Sequence, residues 1–323
     1  MKALLVVNPA ATTTTLRTRK VLSSALAGEL KLQVAVTEHQ GHAYSLGRTV
    51  AGEGDVELVI AHGGDGTVNE LVNGLLHHGP TRDGGPRLAV IPGGSTNVFA
   101  RALGIPNNAV EATGALLDSV RKRRERSIGL GLASGVPGTA DSEVPSRWFT
   151  FCAGLGLIAG VVGRVEQQRE RGRRSTHSLY IQQLARQFAV ELSKGREGSI
   201  SAKSANCHSV TPMAMSLVCN TAPWTYLGNR PLYALPGTSF EAGLDLIGLD
   251  HLSFPAAARL GLQFLTSTPN SGVSGKHVLG LHDLADLTLH SKAPVPFQVD
   301  GDHLGVRTDI RFTSIPDALR VIA

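Results

Sequence analysis

The chain has 323 residues, 42% of them hydrophobic and 18% charged, with a formal net charge of +5. That length exceeds one ordinary core and suits two domains, and the three scattered cysteines, Cys152, Cys207 and Cys219, argue against a disulfide framework or zinc site and fit a reducing cytosol. No apolar stretch is long enough to cross a bilayer, and Ala3 to Val7 is too short for a signal-peptide core, so a cytoplasmic protein that meets membranes only at their surface is expected.

Lys2 to Val7 reads as a first strand, and Leu16 to Leu30 as a helix with Leu16, Val21, Leu22, Leu26 and Leu30 along one side. A second strand follows over Leu32 to Val36, a second helix over Ala43 to Glu53 and a third strand over Val56 to Ala61. The next run, His62-Gly63-Gly64-Asp65-Gly66-Thr67-Val68-Asn69-Glu70, opens another helix. Its glycines let the backbone turn sharply and let a ligand come close. Thr67 and Glu70 have the spacing of a capping box. Strand, glycine turn and helix start together aim N–H groups at one point, a natural phosphate site, although a plain turn between two core elements has the same residues. Asp65 would suit a cation or a sugar hydroxyl there.

Arg87 to Ile91 is a fourth strand, and Pro92-Gly93-Gly94-Ser95-Thr96-Asn97 repeats the pattern of strand, glycine turn and helix start. Pro106 closes that helix, and Ala109 to Val120 forms another. Alternating strands and helices predict a parallel sheet, with Asn8, Thr37, Asp65 and Gly93 all just past strand ends and facing one crevice.

From Ile128 onward short β-like runs dominate: Trp148 to Cys152, Ala214 to Cys219, Leu244 to Leu249 and Leu287 to Leu289. Leu157 to Arg171 and Leu179 to Ser193 read as inserted helices, and Gly135 to Val144 as a loose hairpin or flexible loop. Gly154-Leu155-Gly156-Leu157-Ile158-Ala159 matches a dinucleotide fingerprint but lacks the acidic residue expected about 20 positions on, so it reads as close glycine packing. Two basic stretches, Arg121 to Arg126 and Arg164 to Arg174, have no interleaved aromatic residues; nucleic acid is the least favoured partner, and the second stretch is the candidate for membrane contact. Near the end, Val299-Asp300-Gly301-Asp302 is a strong hairpin-turn signal that also sets out two carboxylates.

These residues resemble the diacylglycerol kinase catalytic-domain family, which includes bacterial lipid kinases and sphingosine and ceramide kinases. The resemblance rests on Gly63 to Thr67 with Asn69-Glu70, and on Pro92 to Asn97 with Ala100-Arg101. It extends to Asn8-Pro9, to Thr37 with Gly41-His42-Ala43, to Ser178-Leu179-Tyr180 and to Val299 to Asp302. It implies an NAD-kinase-like α/β nucleotide-binding domain over 1–127, joined by the tail 306–323, and a β-sandwich lipid-acceptor domain over 128–305, with the active site in the cleft between them. The nucleotide contacts it implies are Asn8, Pro9, Ala10, Ala11, Thr12, Thr37, Gly63, Gly64, Asp65, Gly66, Thr67, Val68, Asn69, Ser95 and Thr96. The proton acceptor is Asp300 or Asp302.

The implied activity is ATP-dependent phosphorylation of a diacylglycerol-like or sphingoid hydroxyl at the membrane surface, with Mg2+ accompanying the nucleotide. A homodimer is compatible with the resemblance. The chain departs from the family where acids are usual: Val98, Gly129 and Ala242 stand there, and Ile158 at a further such position. These departures put a structural Mg2+ in doubt. They also give a second reading, a catalytically weakened nucleotide- or lipid-binding member. An NAD-kinase-like soluble-metabolite kinase is a third.

Overall fold

A computed structural model describes residues 1–81, 84–171, 177–193, 198–204 and 212–323. Cys207, Arg173 and Arg174 lie outside the described residues. The chain forms two compact units, residues 1–130 with 316–323, and residues 131–315.

The first unit alternates strands and helices: β1 (Lys2–Val7), α1 (Leu16–Ala27), β2 (Lys31–Val36), α2 (His42–Glu53), β3 (Leu58–Gly63), α3 (Asp65–Leu75), β4 (Arg87–Pro92), α4 (Val98–Ala102) and α5 (Ala109–Arg121). All its strand pairs are parallel, in the order β2-β1-β3-β4. At the far edge Val321, from the returning tail, pairs with Leu88 of β4. The order reverses between β1 and β3, and in open parallel sheets the crevice beyond such a reversal is where ligands bind.

The strands are apolar because helices cover the sheet: Leu5, Val7, Leu58, Ile60 and Ile91 share a core with Leu22, Leu26, Leu30 and Leu116. Helix α1 is shorter than its apolar pattern suggests, ending at Ala27 with Gly28 as C-cap. Only Leu22 and Leu26, four residues apart, face the sheet; Leu16 and Val21 are 69% and 52% exposed.

Helices α2 and α3 touch through glycines. A Cβ on Gly74 would stand 2.2 Å from the carbonyl oxygen of Tyr44, and one on Gly47 would stand 2.9 Å from that of Leu71. The contact is backbone on backbone, so it has nowhere to yield. Gly74→Ala is expected to cost about 1–3 kcal/mol in denaturant unfolding, as overpacking does, despite alanine's better helix propensity. Unchanged stability would refute this account of the contact.

The second unit is strand-rich: β5 (Arg126–Gly135, entering from the first unit), β6 (Arg147–Phe149), β7 (Cys152–Gly156), α6 (Leu157–Glu170), α7 (His177–Ser193), β8 (Ile200–Lys203), β9 (Met215–Cys219), β10 (Thr225–Leu227), β11 (Arg230–Leu232), β12 (Leu244–Leu249), α8 (Phe254–Thr266), β13 (Val278–Leu284), β14 (Asp286–Val299) and β15 (Asp302–Val321). Antiparallel pairing runs β13-β12-β9-β7-β14-β15 around a core that includes Phe149, Leu155, Leu246, Leu289, Phe297 and Phe312. β15 stays with this unit to Ile315, so only residues 316–323 return to the first.

The stretch from Gly135 to Val144 belongs to the connection of an antiparallel hairpin, β5 with β6. It is tied down: Asp141 Oδ2 accepts from Thr308 N–H at 2.7 Å, Thr308 Oγ1 at 2.8 Å and Asp309 N–H at 3.0 Å. The dinucleotide-like run does sit where a strand, β7, meets a helix, α6. Its glycines serve packing: a Cβ on Gly154 would come within 2.3 Å of the Ser216 carbonyl oxygen, and one on Gly156 within 2.7 Å of that of Ala214. Cys152 and Cys219, distant in sequence, are buried free thiols directly opposite one another on β7 and β9.

Candidate functional site

Parallel pairing of β3 with β4 puts the two glycine turns side by side, because Gly63 is the register partner of Pro92. Gly93 N–H donates to Gly63 O at 2.8 Å, and Thr13 N–H donates to Gly93 O at 3.0 Å. The approach is close enough to demand glycine: a Cβ on Gly94 would lie 2.7 Å from Gly64 Cα, and one on Gly93 would lie 3.0 Å from Gly63 Cα. Two sequence motifs thus fold into one double-walled backbone surface beyond the strand ends. The first-turn N–H groups of α3, at the same end, have no partner inside the helix. Exposed N–H groups at a helix start beside a glycine turn favour a phosphate-sized anion.

The loop after β1 is joined to this surface. Asn8 N–H donates to His62 O at 2.9 Å, and Asn8 Nδ2 donates to Thr67 Oγ1 at 2.8 Å. Asn8 Oδ1 accepts from Ala10 N–H at 2.9 Å, which shapes the turn through Pro9 and Ala10. Thr37 ends β2 with its N–H donating to Val7 O at 2.9 Å. The structure brings together Asn8, Gly63, Gly64 and Thr67 with the turn Gly93-Gly94, which Ser95, exposed, and Thr96 follow. Val68 and Asn69 are buried in α3, where Asn69 Oδ1 accepts from Asn73 Nδ2 at 3.1 Å, so these two belong to the helix core.

Three side chains have roles that sequence spacing did not give. Helix α3 starts at Asp65, with Gly64 as N-cap and no side-chain cap bond, so the Thr67/Glu70 capping box does not form. Thr67 takes the Asn8 amide instead, and Glu70 Oε1 accepts from Gly41 N–H at 2.9 Å, pinning the loop before α2. The capping-box spacing misleads because the helix begins two residues before Thr67. Asp65 accepts from Val98 N–H at 3.0 Å and Phe99 N–H at 3.2 Å. These are the opening amides of α4, where a negative group is stabilising. Its carboxylate therefore locks the first glycine turn to the helix that follows the second.

Asn97, in the left-handed region at φ 51°, accepts from Gly94 N–H at 2.8 Å. Its Nδ2 donates to Gly94 O at 2.9 Å and to Asn107 Oδ1 at 2.8 Å. The second turn is thus held by an asparagine pair, of which Asn107 carried no sequence signal.

His62, next to the first turn, is fully buried; its ring nitrogens lie 3.3 Å from Ile91 O and 3.4 Å from Thr14 Oγ1. Burial lowers its pKa below the ordinary value of 6.5, against the smaller raising effect of the Ile91 carbonyl. The unfolded chain therefore binds this proton first. The stability of the glycine-turn region is complete above pH 6.5 and falls as pH drops toward the lowered folded-state value. Unfolding free energies of the wild type and His62→Gln are expected to converge below pH 6.5, at up to about 1.4 kcal/mol per pH unit. A constant offset between them would refute it.

In the second unit the late acidic turn is a two-residue hairpin connection, Asp300-Gly301, with φ of 48° and 83°, between paired Val299 and Asp302. The two carboxylates differ sharply. Asp300 is buried: Oδ2 accepts from Thr150 N–H at 2.7 Å and Thr150 Oγ1 at 2.8 Å, and Oδ1 from Phe151 N–H at 3.0 Å and Cys152 N–H at 3.1 Å. Burial raises its pKa above the usual carboxylate range, and those donors pull it back only in part. The run Trp148 to Cys152 splits into two strands here because Thr150 and Phe151 turn to cap Asp300. Asp302 has a side chain 28% exposed and pairs with Arg147 at 3.3 Å.

Among the described residues, no group of three or more His, Cys, Asp or Glu side chains could hold a metal ion. Around Ala242, one of the positions where the resemblance led to the expectation of an acid, the carboxylates of Asp245 and Asp283 bond to the protein itself. Asp245 Oδ1 accepts from Asp283 N–H at 2.9 Å, Thr238 Oγ1 donates to Asp245 Oδ2 at 2.5 Å, and Asp283 Oδ1 accepts from Gly243 N–H at 2.7 Å. A structural Mg2+ does not fit this arrangement. Val98, at a position where the resemblance implied an acid, is buried.

Residues 2–132 match the diacylglycerol kinase catalytic domain family. A diacylglycerol kinase of Bacillus subtilis is 45% identical over 82 residues, 25% of this chain and 24% of that protein, so the match spans about a quarter of the relative's length. A diacylglycerol kinase structure from Bacillus anthracis superposes with a TM-score of 0.70 at 21% identity, covering 99% of this chain and 96% of that one. An NAD kinase of Archaeoglobus fulgidus in complex with ATP superposes with a TM-score of 0.53 at 11% identity, covering 100% and 94%. The two structural likenesses concern the fold: an α/β unit with a parallel sheet, plus a strand-rich unit.

Proposed function

We propose that the chain, whose residues 2–132 match the diacylglycerol kinase catalytic domain family, is an ATP-dependent lipid kinase, transferring the γ-phosphoryl group to a diacylglycerol-like or sphingoid hydroxyl. The observation that carries this reading is the double glycine turn at the β1/β3 reversal, where Gly63-Gly64 and Gly93-Gly94 pack backbone to backbone.

Phosphoryl transfer needs positioning and charge stabilisation more than covalent help. The turn amides and the start of α3 bind phosphate oxygens, while Asn8, Thr67, Ser95 and Thr96 add polar groups along the same rim. Asp65 and Asn97 are positioning residues: they hold the two turns at fixed separation. Magnesium, when it accompanies the nucleotide, neutralises phosphate charge, and the described residues offer it no cage of their own.

The acceptor hydroxyl must lose a proton, and the turn at Asp300 to Asp302 supplies carboxylates for that task. Burial divides them. Asp302 is the member an acceptor can reach, and Asp300 is the anchor that fixes the turn. The buried Val98 in place of an acid favours a second reading, a nucleotide- or lipid-binding protein with little or no turnover.

The test is transfer from labelled ATP to a panel of diacylglycerol, ceramide and sphingoid lipids, with NAD as a soluble acceptor. A phosphorylated lipid product supports the kinase. Nucleotide binding without any product supports the second reading, and phosphorylated NAD without lipid product overturns both.

A further inference from the structure

Helix α8 is apolar on two faces. Leu260 and Phe264 are buried and fix the helix to the second unit, with the Phe264 ring 5.5 Å from Trp224. Phe254, Ala258, Leu262 and Leu265, spaced four, four and three residues apart, form a second stripe. That stripe faces outward: Phe254 is 75% exposed, Leu262 63% and Leu265 39%. One apolar stripe suffices to pack a surface helix, so the second has no role in the fold of this unit. Beside it, Tyr233 N–H donates to Ser267 Oγ at 2.9 Å and Val273 N–H to Ala234 O at 2.9 Å. These bonds tie the chain leaving α8 to the chain leaving the β10–β11 hairpin, whose tip exposes Leu227 and Arg230.

The chain segments that carry this surface hold charge of one sign. Residues 251–282 contain no Asp or Glu and carry the exposed Arg259 and Lys276; residues 212–240 also contain no acid and carry Arg230. Of the acids flanking these stretches, Asp250 lies beside His277 at 2.9 Å, the buried Asp245 bonds Thr238 and His282, Asp283 accepts from Gly243 N–H at 2.7 Å, and Glu241 is exposed. Two copies of this chain meeting stripe to stripe would bring Arg259, Lys276 and Arg230 of both copies to one interface. In the basic stretch Arg164 to Arg174, Arg164 is half-buried and donates to Gln187 Oε1 at 2.6 Å, Arg171 is exposed, and Arg173 and Arg174 lie outside the described residues.

We propose that α8, with the tip of the β10–β11 hairpin, docks the chain on an anionic lipid bilayer. Phe254, Leu262 and Leu265 enter the boundary between headgroups and acyl chains, and Arg259, Lys276 and Arg230 meet the lipid phosphates. The lipid-kinase reading enters only in the choice of a lipid surface as occupant.

The experiment is co-sedimentation of the full chain, without nucleotide, with phosphatidylcholine vesicles containing about 30% phosphatidylglycerol. Wild-type binding should weaken with added salt, and Phe254→Ser with Leu262→Ser should lower the partition constant by about tenfold or more. Arg259→Glu with Lys276→Glu should lower it as well and flatten the salt dependence. Unchanged melting temperatures show that the variants fold. Equal vesicle binding by wild type and both double variants overturns the proposal. So does a lipid-free dimer in sedimentation velocity that the Phe254/Leu262 variant dissolves, which would make a second copy the occupant. Transfer of phosphate to a dispersed short-chain lipid is measured separately, so a failure of docking and a failure of the kinase reading are told apart.

Discussion

Asp302→Asn is expected to lower lipid phosphorylation by about 10²–10⁴-fold, the range a general base contributes, while leaving the melting temperature nearly unchanged. The carboxylate is partly exposed and pairs with Arg147 at 3.3 Å, so its amide replaces it without burying an unpaired donor. Asp300→Asn should behave differently. One of its oxygens becomes an NH2 group facing backbone N–H donors of Thr150 to Cys152 in a buried setting. That change is expected to cost about 3 kcal/mol of stability, since bonds to a charged acceptor are lost and donors are left facing a donor. The pair of variants separates anchor from base. Full activity in Asp302→Asn, with activity absent from a folded Asp300→Asn protein, would reverse the assignment.

The second large effect is expected at the glycine turns. Gly94→Val places branched carbon where the Cβ alone would stand 2.7 Å from Gly64 Cα and 3.0 Å from Asn97 Oδ1. Neither neighbour can give way cheaply: one is backbone, and the other is held by Gly94 N–H itself. The turns must separate, and the amides proposed to bind phosphate oxygens no longer share one centre. ATP affinity is expected to fall by about 100-fold or more, so the stabilisation by nucleotide, about 2.7 kcal/mol at a hundred times the wild-type dissociation constant, shrinks to a few tenths. Thermal shift with and without ATP measures this directly. A full nucleotide shift in Gly94→Val would refute the placement of phosphate between the turns.

The same region shows how far composition and pattern reach. The strand-helix alternation up to Val120 is local information, carried by apolar periodicity and turn residues, and the sheet it implies is the one observed, with helix ends displaced by a few residues. The late Asp300-Gly301 turn was equally legible, because Asp-Gly between apolar runs tolerates the positive φ that a tight hairpin demands. Glycine spacing likewise marked both turns as places of close approach.

What the sequence could not supply were partners distant along the chain. Asp65 reads as a cation or sugar ligand until the parallel register of β3 and β4 brings the amides of Val98 and Phe99 to its oxygens. Thr67 and Glu70 have capping-box spacing, yet the tertiary structure offers Asn8 and Gly41 as better-placed partners. The two carboxylates of the late turn look equivalent in one dimension. Only the fold buries Asp300 among the amides of residues 150–152 and leaves Asp302 beside Arg147. Sequence by itself determined the order of elements and the two glycine turns, because those depend on residues a few positions apart. Which polar groups are free for a ligand and which are used to hold the turns was decided by the tertiary structure, because each buried donor or acceptor must be satisfied by whatever the packed chain brings within reach.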